Sequence, residues 1–207
     1  MAFIKNTHTH FTTQDEHQPM RSCSDLLVGL EDGNPTTRRW AARDLVNCKN
    51  VAAALIDRLK READLSVREV ILTTLTRLGD SIAVAGLVDC LRSEDAALRN
   101  EAIEAMKQLP NEVALIMQEL LGDPDPDVRI FAVNILESLR HRDVESWLID
   151  VIETDSHINV CATAVDLLSE VGTDVAVAAL TELKRRFADQ PYIQFAANLA
   201  LKRIQEG

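Results

Sequence analysis

Aromatic side chains are scarce in this sequence, at 4% of 207 residues, and so is glycine, with seven. The apolar residues are mostly Ala, Leu, Val and Ile, which favours helices that pack closely. No run of about 20 apolar residues occurs, the length a transmembrane helix needs. The opening stretch, MAFIKNTHTHFTTQDEHQPM, has no apolar core of the signal-peptide kind. Dense positive charge is also missing. The net charge is -11, and KRR at 184–186 is the one compact basic cluster, read as a solvated helix face near a C-terminus. Such a surface repels phosphate, so neither nucleic acid nor an anionic membrane is an expected partner. The four cysteines, Cys23, Cys48, Cys90 and Cys161, form no CxxC pair, which excludes a zinc knuckle or a dithiol motif. Each lies in an apolar-periodic stretch and reads as a free, small core residue. A reducing cytoplasm is the expected location. No G-x-S-x-G, P-loop or G-x-G-x-x-G is present, and no convincing period-2 alternation marks a strand.

What is present is a repeat. An arginine is followed three residues later by an apolar residue and seven later by a long one: Arg38, Ala41, Leu45; Arg68, Ile71, Leu75; Arg99, Ala102, Met106; Arg129, Ala132, Leu136. The arginines are spaced 30, 31 and 30 residues apart. Two degenerate copies, beginning at Cys161 and Gln194, follow, as expected at the end of an array. Each unit holds two helical stripes. In the fourth, NEVALIMQELL places Val113, Leu115, Ile116, Leu120 and Leu121 near a 3.6 period. DVRIFAVNILESL places Val128, Ala132, Ile135, Leu136 and Leu139 on one face. Two helices cannot bury both stripes alone, so stacking is required.

The recurring DPDPDVR..A...L pattern, after a short helix, resembles HEAT repeats of the short bacterial type, nearest to the phycobilisome-lyase-like group. The resemblance covers about residues 22–205. It implies an all-α solenoid, a right-handed superhelix of about six helical hairpins, over residues 22–207, with residues 1–21 as an N-terminal arm or cap. It further implies a structural ladder between neighbouring units, in which an acid six residues before each arginine caps the second helix and can accept from a guanidinium. Its members are Asp32 with Arg38, Glu62 with Arg68, Asp123 with Arg129, and Arg99, which has Ser93 in place of the acid. The three aspartates of GDPDPD are therefore read as a turn. Twelve residues from Asp123 end at Asn134, with Val128 where a calcium loop needs glycine.

Three functions are compatible with this reading. The first is a protein-protein scaffold or regulatory adaptor that binds a partner on the concave face made by the second helices. Positions one, five and eight after each anchor should point outward there. The candidate contacts are Arg39, Arg43, Glu69, Thr73, Asn100, Glu104, Ile130 and Asn134, running from basic to acidic, with Trp40 one position further round. The second, implied by the resemblance, is a phycobilin lyase subunit or related chaperone handling a chromophore- or cofactor-bearing partner. The third is a metal-dependent enzyme using His8, His10 and His17 of the tail. No His-Glu dipeptide of the kind found in deoxyhypusine hydroxylases occurs. Cys161 and His157 are read as packing and turn residues, no catalytic residue is assigned, and no cofactor is expected. The oligomeric state stays open.

Overall fold

The structure is a computed structural model and describes residues 22–206; the arm assigned to residues 1–21 lies outside them. Thirteen α-helices and two short 3-10 turns make up the described residues, with no strand among them. They pair into six hairpins. These are α1 (Cys23–Gly29) with α2 (Pro35–Asp44), α3 (Ala52–Leu59) with α4 (Leu65–Leu78), and α5 (Ser81–Cys90) with α6 (Ala96–Met106). There follow α7 (Pro110–Ala114) and α8 (Met117–Leu121) with α9 (Pro126–Leu136), α10 (Val144–Thr154) with α11 (Ile158–Val171), and α12 (Val177–Arg186) with α13 (Pro191–Glu206). The second helices pack in sequence, α2 on α4, α4 on α6, α6 on α9, α9 on α11 and α11 on α13. This is an α-solenoid.

The turns show why each second helix starts where it does. Asn34, Asp64, Asp95 and Asp125 stand at the N-caps of α2, α4, α6 and α9, and each side chain accepts an N–H of the first turn. Pro35 and Pro126 occupy the first helical positions, where no N–H is needed. The ladder acid sits two residues earlier and accepts the N–H of the capping residue itself: Asp32 from Asn34, Glu62 from Asp64, Asp123 from Asp125 and Asp155 from His157. Capping is thus divided between two side chains, where the sequence reading gave it to one.

The stripes of the second helices go into one continuous core. Val128, Ala132, Ile135, Leu136 and Leu139 are all buried. Gly86 lies where α5 crosses α3, and a Cβ there would run into Ile56. The first helix of the fourth hairpin differs from expectation. Its stripe is not continuous: the helix breaks between α7 and α8, Met117 is buried, and Leu115 is 87% exposed.

The cysteines also require a correction. Cys90 and Cys161 are buried and free, but Cys23 and Cys48 form a disulfide. Cys23 opens α1 and Cys48 follows the 3-10 turn Leu45–Asn47 that ends α2. The hairpin folds back and brings together two residues 25 apart, a pairing that no short spacing announces. With it goes the cysteine-based argument for a reducing compartment.

Candidate partner-binding face

Two sets of side chains decorate the stack. The first runs along the turns. Arg38 donates through Nε and Nη2 to both oxygens of Glu62, each at 2.7 Å. Its Nη1 donates to the carbonyl oxygens of Asp32 and Gly33. Arg129 repeats this with Asp155 of the next unit and the carbonyls of Asp123 and Pro124. The guanidinium therefore takes the backbone of its own turn and the carboxylate of the following one. Side-chain pairing within a turn, Asp123 with Arg129 or Asp32 with Arg38, is not what forms.

Where the acid is missing, the ladder adapts. Ser93 replaces it, and Arg68 turns to Asp95 and Glu101 instead. Arg99 donates to the Ser93 carbonyl, while Asp123, 24 residues on, is taken by Arg92. A second, outer row joins consecutive units, Arg61 to Glu31 and Lys60 to Asp89, with Arg92 to Asp123 continuing it. Sequence reading missed this row, although Glu31, Arg61, Arg92 and Asp123 recur at the repeat period.

Glu62 is the most enclosed member. Burial pushes its carboxyl pKa up, but Arg38, Arg58 and the Asp64 amide outweigh this and hold it at about 2. Cys161 lies at an arginine position, and its thiol donates to the Asp155 carbonyl at 3.2 Å. Burial pushes that thiol up, so it stays protonated and is a poor nucleophile. His157 stands at the N-cap of α11 without a side-chain cap, and His141 stacks on Trp147 with centroids 5.0 Å apart.

The second set lies on the second helices. None of Arg39, Trp40, Arg43, Glu69, Thr73, Asn100, Glu104, Ile130 and Asn134 is buried. Trp40 is 43% exposed, with the Arg43 guanidinium 4.1 Å and that of Arg39 5.8 Å from its ring. Arg43 also pairs with Asp44. Glu69, Thr73, Asn100 and Glu104 line one groove between α4 and α6, of about 550 Å³, with Leu65 and Leu72 also in its wall. Asn134 belongs to a smaller groove between α9 and α11, beside Glu137, Asp166 and Glu170. Ile130 packs against the core and lines neither groove. The structure thus gathers four of the candidates in one cleft and leaves the Arg–Trp–Arg cluster on α2 outside it.

The family model for HEAT repeats matches residues 23–107 and 113–202. The chain belongs to the HEAT-repeat family. A bilin biosynthesis protein, PecE of Mastigocladus laminosus, is 37% identical over 103 residues, 45% of this chain and 38% of that protein. The human AP-1 complex subunit gamma-like 2 is 32% identical over 199 residues, 82% of this chain and 24% of that protein. The chain thus spans well under half the length of these relatives. Among solved structures, the CpcE–CpcF complex of phycocyanin lyase from Nostoc sp. PCC7120 aligns at 18% identity. That alignment covers 96% of this chain and all of the other, with a TM-score of 0.39.

The gap in the HEAT-repeat match, residues 108–112, coincides with the entry into the broken first helix of the fourth unit. Among the described residues no helix is long and apolar enough to cross a membrane, and no group of three or more His, Cys, Asp or Glu is placed to hold a metal. His8, His10 and His17 lie outside the described residues. The acids of GDPDPD have other work. Asp123 binds Arg92 and the Asp125 amide, and Asp125 caps α9.

Proposed function

We propose that this HEAT-repeat chain is a protein-binding module, a scaffold or regulatory adaptor that holds a partner protein against its second helices. The Arg39–Trp40–Arg43 cluster is the anchor, and the groove between α4 and α6 extends the contact. One observation carries this reading: a half-exposed tryptophan flanked by two guanidinium groups on the face of α2. An aromatic ring with arginine beside it is the composition of interface hot spots. A free side chain of this kind has no structural duty to the core, since the ladder uses Arg38 and leaves Arg39 and Arg43 unused. The test is reversal of Arg39 and Arg43 to Glu, with partner affinity measured at two salt concentrations. Binding should fall by about 2 kcal/mol or more while the helical signal is kept. Unchanged affinity overturns the assignment.

A finer reading has its own support. Two PecE proteins, described as bilin biosynthesis proteins, match at 37% and 38% identity over 103 residues. On this reading the bound partner is a biliprotein and the chain is a subunit of a phycobilin lyase or a chaperone of that kind. Co-expression with a biliprotein and a bilin, read as visible absorbance on the purified product, separates it from a general adaptor. Absorbance that does not depend on this chain removes the finer reading and leaves the coarser one standing.

A further inference from the structure

The fourth hairpin breaks the repeat on the side of the first helices, away from the face considered above. Pro110 starts α7 afresh, and the chain interrupts the helix again at Leu115 and Ile116 before α8 begins. Val113, Met117 and Leu120 still reach the core, so the break does not loosen the stack. It turns Leu115 outward instead, to 87% exposure. Between this broken helix and α5 lies a groove of about 530 Å³ whose lining includes Val84, Ala85, Val88, Leu115, Ile116 and Leu120. Ile82, on α5, is 51% exposed as well. A leucine this exposed beside an apolar groove is a cost to a chain in water unless something covers it.

The rim says what does. Glu112 and Glu119 line the groove and make no ion pair among the described residues, while Asp89 beside them is paired with Lys60. Arg92, the only cation in the lining among the described residues, is already engaged by Asp123. The walls are helices whose backbone groups are largely used internally, so affinity must come from side chains, as when a helix lies in a groove. The ten residues of α5 give a floor about 15 Å long.

We propose that the groove between α5 and the α7–α8 pair is a second docking site, for an amphipathic helix of a partner protein that offers a short apolar stripe flanked by Lys or Arg.

The experiment uses the full chain and a fluorescein-labelled 14-residue peptide with leucines at helical spacing and lysines between them, followed by anisotropy. A second peptide carries glutamates in place of the lysines. The lysine peptide should bind. Leu115→Asp should weaken it about tenfold, and the Glu112→Lys, Glu119→Lys double variant should weaken it and flatten its salt dependence. Val175→Asp, at an exposed position that lines none of the grooves described, should leave the affinity within about twofold, which separates groove binding from general attraction to an acidic protein. Circular dichroism checks the fold of Leu115→Asp, whose side chain is almost wholly outside the core. Absence of binding by the lysine peptide, equal binding of the glutamate peptide, or equal losses at Val175 and Leu115 overturns the proposal. So does a wild-type dimer that Leu115→Asp makes monomeric, which assigns the groove to a second copy. A sharp gain in affinity on deleting residues 1–21 assigns it to the chain's own N-terminal segment and overturns the proposal too.

Discussion

At the joint between the first and second hairpins, the guanidinium of the earlier unit reaches forward to a carboxylate of the later one. At the joint between the fifth and sixth the direction is reversed. Arg38 donates to Glu62 at the first joint. At the last, Arg186 of the later unit donates back to the carbonyls of Glu153 and Asp155, beside the Cys161 thiol. Cys161 and Gln194 replace arginines, yet both still bond to turn carbonyls, of Asp155 in one case and of Lys184 and Phe187 in the other. The difference teaches that the side chain given to the turn carbonyls need not be an arginine, and the second turn, where Arg68 goes to Asp95 and Glu101 instead, departs from the arrangement altogether. The terminal joint uses an exposed charge, whereas the first joint buries its pair. Burial makes the first joint the more demanding of the two, because a buried ion whose partner is lost has no water to replace it.

The comparison can be broken at its strongest point. Glu62→Ala leaves the buried Arg38 without its carboxylate and takes one of two acids from the half-buried Arg58, which keeps Glu31, and urea melts should show a loss of about 3–5 kcal/mol. Arg186→Ala, at the exposed joint, should cost no more than about 1 kcal/mol. Equal losses would mean that burial does not distinguish the two ends.

Acid should find the same joint. The Glu62 carboxyl is held at about 2, below its ordinary 4.5. The native state therefore binds fewer protons there than the unfolded chain. This contribution, about 3 kcal/mol, is present above pH 4.5 and is lost as pH falls through about 2. Stability measured against pH in wild type and Glu62→Gln should differ in slope within that window. Parallel curves would remove Glu62 as the source.

A middle joint sharpens the contrast. Arg129→Ala should cost about 1.5–3 kcal/mol, since Asp155 and two turn carbonyls lose a charged donor. At the terminal joint, Cys161→Arg alone should destabilise by about 1 kcal/mol through repulsion with Arg186. Adding Arg186→Asp recreates the forward arrangement seen at Arg129 and should recover that loss. A double variant no better than the single one would show that the reversed joint is not a substitute for the forward one. The smallest effect is expected at Arg43→Ala, about 0.5 kcal/mol or less, because that side chain lies on the surface and outside the ladder.

Much of the fold was legible from residue spacing. The apolar residues that the period placed three after each arginine, Ala41, Ile71, Ala102 and Ala132, are all buried. None of the residues it proposed for the outward side of the second helices is buried, although Ile130 packs against the core. The candidate site was legible only as a set of positions. That Glu69, Thr73, Asn100 and Glu104 share a groove while Trp40 stands apart with its two arginines depends on how α2, α4 and α6 lie against one another. Leu115 was misread because a 3.6 period assumes an unbroken helix, and Pro110 and the second break shift its phase.

The sequence by itself determined the unit: two helices and a capped turn, with a side-chain donor to the turn carbonyls in every unit but the second. All of that rests on contacts between residues a few positions apart, where the geometry of one helix suffices. Only the tertiary structure decided the partners. Arg38 chose Glu62 at a separation of 24 residues and Cys23 chose Cys48 at 25. Arg68 turned to Glu101 at 33, and Leu115 was left beside α5 with none of the described residues over it. At those separations the distance between two side chains is set by how one hairpin closes or by how it stacks on the next. The pattern within a unit carries no record of that.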